Sequence, residues 1–269
     1  MLSKAKLQYL RSLSQKKIRE REGVFLIEGW HSIEEASRAL KEIPSIVYPK
    51  AAAETDRFAA IFSAARRISR ERIEVSSKEL SQIADTVAAQ GIVAVVKKLS
   101  SDPGKVISDI DKRGGAFVLA LDGLSDPGNL GAIVRACDWF GVDAVYLSGS
   151  CVELYNPKVV RSTAGSLFHL PIFESPPGSE FFSKSLVELR SRGFALIGAE
   201  VAGSTDVRSL TWPEKSVLAI GNESHGLSPE VSMLLDSHVA IPRFGKAESL
   251  NAGIAAGVLI AHHALQSRR

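Results

Sequence analysis

Residues Leu119-Ala-Leu-Asp-Gly-Leu-Ser-Asp-Pro-Gly-Asn-Leu-Gly-Ala-Ile-Val-Arg135 pass from strand to turn to helix. The apolar run from Phe117 to Leu121 reads as a buried strand. Asp126-Pro127-Gly128 is a turn, and Asn129 is a good N-cap for the helix behind it. Arg135 falls about two turns into that helix. Six residues separate it from Asn129, so the two share no i, i+4 row, although both can reach the same end of a sheet.

The same grammar recurs in Ser216-Val-Leu-Ala-Ile-Gly-Asn-Glu-Ser-His-Gly-Leu-Ser-Pro-Glu230. A buried strand runs into a glycine-flanked polar turn, and Ser228-Pro229-Glu230 starts a helix with proline at its first position. Glu223 is thereby placed outside the carboxyl end of a strand, where parallel sheets bind ligands. A third stretch, Ile241 to Gly257, sets Glu248, Ser249 and Asn251 just before a small-residue helix, Ala252 to Ala264. Gly253 and Gly257 each cost that helix about 1 kcal/mol against alanine. Either it is a tightly packed core helix with a serine cap, or its small residues let a backbone or a ligand come close.

Working outward, strands are expected at 117–121, 143–148, 194–199, 217–221 and 237–241, and helices near 129–140, 156–165, 179–191, 228–236 and 250–265. Alternation of the two indicates α/β architecture with a parallel sheet. The first hundred residues carry a basic helix near 3–13, a strand over Val24–Ile27 and a helix over His31–Leu40. A strand over Ile43–Tyr48, a helix over 53–67, a strand over Ile73–Val75, a helix over Ser77–Ala88 and a strand over Ile92–Lys97 follow. That is a small α/β sandwich. Leu99 to Gly104 is a turn-rich junction and Gly114-Gly115 opens the second domain, giving domains of 1–105 and 106–269.

Composition excludes several classes. At 269 residues, with 45% hydrophobic and 23% charged residues, the chain is of ordinary globular type. Its longest apolar stretch, in the last helix, is interrupted by Asn251 and His262-His263 and is too short to span a bilayer. The start, Met1-Leu-Ser-Lys-Ala-Lys6, lacks the apolar core of a signal peptide, so a cytoplasmic protein is expected. Cys137 and Cys151 match neither a disulfide framework nor a zinc spacing, and the six histidines show no metal spacing, so no metal is expected. No two glycines lie two positions apart and no Gly-Lys is followed by Ser or Thr, which excludes the common dinucleotide and P-loop signatures. His225 reads as a loop histidine.

Charge is uneven. Net charge is +3, yet between Met1 and Glu22 seven basic residues (Lys4, Lys6, Arg11, Lys16, Lys17, Arg19, Arg21) face two acidic ones, Glu20 and Glu22. Such a cluster either attracts phosphates through counterion release or serves as a solvated face. Lys16, Lys17 and Arg19 are the candidate RNA contacts.

Taken together, these motifs resemble those of the SpoU-type (SPOUT superfamily) RNA 2′-O-ribose methyltransferases. Asn129, Gly131 and Arg135 are similar to the first family motif, Gly221-Asn222-Glu223 to the second, and Ile241-Pro242 through Ser249-Leu250-Asn251 to the third. The resemblance covers roughly residues 114 to 269, with the motifs in order and each at a strand end. The amino-terminal hundred residues resemble, more loosely, the RNA-binding domain often fused in front. Two departures stand out: Ser224 where the family usually has Gly, and Ala252-Gly253 where it usually has Val-Ser. Altered packing of the cofactor loops is the expected consequence.

The resemblance implies a trefoil knot in the C-terminal segment, S-adenosylmethionine as cofactor, and a homodimer whose site is completed across the interface. It places the cofactor against Gly198-Ala199-Glu200, Gly221 and the Ile241–Leu250 loop, with Gly221 and Gly245 expected to admit a close backbone approach. It makes Arg135 the catalytic arginine. A guanidinium stays protonated, so the role that fits is electrostatic, toward the developing alkoxide and the adjacent phosphate. Asn129, Glu223, Ser249 and Asn251 complete the catalytic set. Asn156 and Arg161 also fit the family pattern, as contacts either to RNA or to the second subunit. The activity implied is methylation of a ribose 2′-hydroxyl in structured RNA, with rRNA favoured by the added domain. The alternatives are a tRNA substrate, or a catalytically silent RNA-binding or ribosome-assembly protein of the same fold.

Overall fold

A computed structural model describes residues 2–53, 59–84, 91–200 and 205–267. The chain divides into two compact units, one of residues 1–100 with 153–169 and the other of 101–152 with 170–269. It therefore passes from one to the other three times.

In the first unit, α1 (Lys4–Ser12) and α2 (Lys16–Glu22) precede β1 (Val24–Glu28) and α3 (Trp30–Ala39). Then come β2 (Ile43–Pro49), α4 (Lys50–Ala53), α5 (Ala59–Ile68), β3 (Ser69–Val75), α6 (Ser77–Ile83) and β4 (Val93–Lys97). The strands form one sheet in the order β1-β4-β2-β3, with β4 antiparallel to both neighbours and β2 parallel to β3. Leu10 and Leu13, with Leu80 and Ile83 of α6, close one face over Val24, Val47, Val93 and Val95. The basic stretch is two helices rather than one, separated at Leu13–Gln15, and Gly23 at φ +65° ends the second. Of the expected helices, positions 54–58 of the one over 53–67 and 85–88 of the one over Ser77–Ala88 lie outside the described residues.

The second unit contains α7 (Pro103–Asp111), β5 (Ala116–Leu121), α8 (Pro127–Phe140) and β6 (Ala144–Leu147). The chain then enters the first unit for α9 (Pro157–Thr163) and returns for β7 (Ile172–Glu174), α10 (Phe181–Ser191) and β8 (Ala195–Glu200). β9 (Thr205–Asp206), β10 (Lys215–Ile220), α11 (Pro229–Ser232), β11 (Ser237–Ala240) and α12 (Ala252–Ser267) complete it. All seven strands are parallel, in the order β7-β6-β5-β10-β8-β11-β9. Side chains alternate across β5 as a strand requires. Ala116, Val118 and Ala120 join Ile107 and Ile110 of α7 and Leu186 and Leu189 of α10 in one core. Phe117 stacks on His263 of α12, ring centroids 3.7 Å apart. Helices on both faces explain why β5 is an unbroken apolar run.

The structure departs from the sequence expectations at three places in this unit. Part of the junction is helical: Asp102 accepts hydrogen bonds from the Gly104 and Lys105 amides and Pro103 occupies the first position of α7. The short outer strands β7 and β9 have no counterpart among the expected elements, because two or three residues display no period. The helix after β5 begins at Pro127, not Asn129, and its N-cap is Asp126, whose carboxylate accepts the Asn129 amide at 2.8 Å. Among the described residues no helix is long and apolar enough to cross a membrane.

Candidate active site

Four adjacent strands, β5, β10, β8 and β11, run parallel and so end at one edge of the sheet. Residues far apart in the chain meet there because the strand order interleaves them. A cavity of about 630 Å³ opens at this edge. It is lined by Ala199 and Glu200 at the end of β8, by the turn from Gly221 to Leu227 after β10, and by Ile241 to Gly245 and Ala247 to Leu250 after β11. Its volume lies in the range of cofactor and small-molecule sites.

Displacement of the cap to Asp126 frees the Asn129 side chain. Its amide nitrogen donates to Glu223 Oε1 at 2.8 Å, and its carbonyl oxygen accepts from the Asn251 amide nitrogen at 2.9 Å. Asn251 in turn caps α12, its Oδ1 accepting from the Gly253 and Ile254 amides at 3.0 and 3.2 Å. Asparagine thus fills the place expected of a serine cap. One chain of hydrogen bonds, Glu223–Asn129–Asn251, ties three motifs together. Ser125 adds a hydroxyl 3.4 Å from Glu223 Oε2. Gly253 packs closely here: a Cβ would lie 3.2 Å from Asn251 Oδ1 and 3.7 Å from Asn129 Cα, so a larger residue would crowd the Asn251 side chain by a few tenths of an ångström. Gly257 meets nothing within 4 Å and has no such constraint.

The turn carrying Glu223 is organised by Asn222. Its amide nitrogen donates to Gly123 O at 2.7 Å, while Oδ1 accepts from the Ser224 and His225 amides at 2.8 and 3.2 Å. Asn222 and Gly226 exchange backbone hydrogen bonds of 2.9 Å each way, closing the turn. Buried Asp122 accepts the Ser228 amide at 2.8 Å and anchors its far side. Asn222 belongs to the second motif without a role assigned to it from sequence, and Asp122 does not stand out there at all, although both follow apolar runs that end as strands.

The three glycines expected beside the cofactor differ from one another. A Cβ on Gly221 would sit 2.2 Å from the Gly226 carbonyl carbon, so the protein's own turn demands glycine there. Gly245 has nothing within 4 Å of a built Cβ. Gly198 does not line the cavity; its Cβ would strike Leu235 Cδ1 at 2.5 Å and Leu227 Cδ1 at 3.0 Å, so it admits packing rather than ligand. Ala199, Gly221, Ile241 and Leu250 of the expected cofactor set do line the cavity, as do Glu223 and Ser249.

Arg135 lies on α8, exposed, and makes no hydrogen bond or ion pair with the described residues. The helix-surface ion pair that an isolated arginine would suggest is absent. Arg19 is the opposite case. It is 2% exposed, pairs with Glu153 through both carboxylate oxygens, and donates from Nη1 to Leu13 O at 2.9 Å and Ser14 O at 2.6 Å. Its assignment as an RNA contact is corrected: every face of the guanidinium serves the first unit. Lys17 is exposed and Lys16 lies 3.7 Å from Glu20 in an exposed i, i+4 pair. Asn156 caps α9, accepting the Lys158 amide at 2.9 Å, and Arg161 stands half-buried in its last turn.

The SpoU rRNA Methylase family model matches residues 116–261, the span that holds this cavity and its three motifs. The chain belongs to that family. A model of the MRM3-like substrate binding domain matches residues 4–94. The chain is 29% identical over 257 residues to the 23S rRNA (guanosine(2553)-2′-O)-methyltransferase RlmP of Bacillus subtilis, covering 96% of this chain and 95% of that one. It is 33% identical over 199 residues to the 23S rRNA (uridine(2479)-2′-O)-methyltransferase of Streptomyces viridochromogenes, with 72% and 67% covered. Among solved structures, the SpoU methyltransferase AviRb of S. viridochromogenes in complex with AdoMet aligns at TM-score 0.85 and 30% identity, covering 99% of each chain. An AdoMet-bound rRNA methyltransferase from Sinorhizobium meliloti aligns at 0.83 and 28%, covering 98% and 96%. The protein is an RNA methyltransferase of SpoU type, with a parallel-sheet methylase unit and an amino-terminal α/β substrate-binding unit.

Proposed function

We propose that the protein methylates a ribose 2′-hydroxyl in rRNA, acting as a cytoplasmic homodimer. The observation that carries this reading is the Glu223–Asn129–Asn251 chain of hydrogen bonds beside the cavity, with the Arg135 guanidinium, unpaired among the described residues, on the same helix as Asn129. S-adenosylmethionine is the cofactor, and the cavity walls suit it. Apolar groups of Ile220, Val239 and Leu259 can receive an adenosyl group, while loop backbone and the Glu200, Glu223 and Glu248 carboxylates supply polar partners. When bound, the cofactor offers an electrophilic methyl group on a sulfonium.

The chain's own residues then align the hydroxyl and help it lose its proton. Glu223, held by Asn129, and Ser249 position the ribose. Arg135 remains protonated and stabilises the developing alkoxide and the neighbouring phosphate, so the proton leaves to that phosphate or to water. Catalysis belongs to the second unit and RNA binding to the first, so the domain boundary expected at 105/106 moves to the start of α7 and residues 153–169 join the first unit; Lys16 and Lys17 are the phosphate contacts. Asn156 and Arg161 contact RNA or the second subunit. On the same reading the C-terminal segment forms the trefoil knot. The homodimer is supported by apolar side chains that α8 and α12 leave in water: Trp139 is 82% exposed, and Ile254, Val258 and Leu265 form a stripe along α12.

Ribose-methylation mapping of total RNA from cells with and without the gene tests the proposal. One rRNA position should lose its methyl group in the deletion and regain it with the purified protein and S-adenosylmethionine. A tRNA position responding instead overturns the substrate, and no responding position overturns the activity.

A further inference from the structure

The Ile241–Leu250 loop sets one aromatic side chain, Phe244, at the wall of the cavity and yet in water. Phe244 is 85% exposed, the largest exposure among the large hydrophobic residues described. A solitary exposed apolar residue is ordinary; the surroundings of this one are not. The Arg208 guanidinium lies over its ring, 5.7 Å from the centroid. Arg208 is itself anchored, its Nε 3.0 Å from both Asp206 carboxylate oxygens and its Nη2 2.5 Å from Oδ2. Arg243 and Lys246 flank the ring in sequence, Lys246 exposed and Arg243 with its Nη1 3.4 Å from Ala247 O. The loop also contributes Ser249 to the cavity wall.

An exposed ring with a guanidinium over it and further cations beside it is the chemistry of single-stranded nucleic acid binding: a base stacks on the ring from the side away from Arg208, and Arg243 and Lys246 meet phosphate. A dimer interface is built otherwise, with charge depleted from its apolar core, as on the Ile254–Val258–Leu265 stripe. Resting on the methyltransferase reading above, we propose that Phe244, with Arg208 and Arg243, is a stacking site for an unpaired nucleobase of the substrate RNA. The target ribose would then enter the cavity from a strand gripped at its rim. Recognition of splayed-out bases rather than duplex follows, because a base inside an A-form helix has no free face to offer.

The test uses the full chain, a fluorescein-labelled single-stranded RNA oligonucleotide and rRNA from cells lacking the gene. Phe244→Ala should weaken binding of the oligonucleotide about tenfold or more and raise the KM for rRNA in parallel. Phe244→Trp should bind as tightly as the natural chain. The loss of RNA affinity should exceed any change in the Kd for S-adenosylmethionine, and light scattering should give the same assembly for both variants. Unchanged RNA binding by Phe244→Ala overturns the proposal. So does a loss of cofactor affinity as large as the loss for RNA, or dissociation of the assembly. Should the natural chain bind RNA through Phe244 yet transfer no methyl group, the methyltransferase reading falls and the stacking site stands. Methyl transfer indifferent to Phe244 removes the stacking site and leaves the methyltransferase reading in place.

Discussion

The first unit's Arg19 and the second unit's Arg135 carry the same functional group in opposite circumstances. Arg19 is buried and spends its donors on Glu153, Leu13 O and Ser14 O. Arg135 stands exposed on α8 with none of its donors used among the described residues. A cation withdrawn from water must be matched almost completely, or it would neither remain buried nor remain charged. A cation kept in water with no partner is available to something else. Arg19 is scaffold, and on the function proposed above Arg135 is the residue that acts on the RNA, although sequence gives both the same letter.

Breaking each arginine should therefore produce opposite readouts. Arg19→Ala leaves the buried Glu153 carboxylate with only Lys98, 4.0 Å away, as a charged partner and should cost up to about 3–5 kcal/mol of stability, read as a lower denaturation midpoint. Arg135→Ala should leave that midpoint unchanged and lower the single-turnover methylation rate about a hundred- to a thousandfold, with the cofactor Kd nearly unaffected. A thermally fragile Arg135→Ala protein with normal turnover would erase the contrast.

Asn129 offers a smaller and sharper test. It joins Glu223 to Asn251, so Asn129→Ala removes two hydrogen bonds, one of them to a charged group, and should slow turnover about tenfold. Asn129→Asp should be worse than alanine. It sets a second carboxylate at hydrogen-bond distance from Glu223, where like charges repel. Equal turnover for the two variants would mean that Asn129 merely fills space.

What was legible in the sequence follows from the range of the interactions involved. The parallel sheet was legible because β5 and β10 are apolar runs, each closed by a polar turn, and β8 is a shorter run of the same kind. The motif residues Asn129, Glu223, Ser249 and Asn251 were legible as a set through family resemblance. Their connection was not, because it depends on β10 lying between β5 and β8. The cap at Asp126 was within reach, since Asp126-Pro127 places proline at the first helical position just as Ser228-Pro229 does. The burial of Arg19 was out of reach: its partner, Glu153, lies 134 residues away in the segment that returns to the first unit. A truncation near residue 105 would remove Arg19 from Glu153 and Phe25 from Tyr155, whose rings lie 4.6 Å apart. It would therefore damage that returning segment, and charge substitutions at Lys16 and Lys17 isolate RNA binding more cleanly.

The smallest effect extends the comparison to a group that must remain uncharged. His263 of α12 stacks on Phe117 and meets Trp212 edge-on at 5.3 Å. Burial, aided by neighbouring His262, pushes its pKa down to about 4 from an ordinary 6.5. Between those values the unfolded chain binds a proton that the folded chain refuses, so stability rises with pH across the window. The contribution is fully present above about pH 6.5 and is lost as pH falls toward 4. His263→Phe keeps an aromatic ring against Phe117 and removes the titration. Melting temperatures taken between neutral pH and the lower end of that window should fall faster for the natural chain than for the variant as the solution is acidified. Parallel trends for the two proteins would show that protonation of His263 is not coupled to folding, and that the α12 stack tolerates the charge which the Arg19 site accepts only with Glu153.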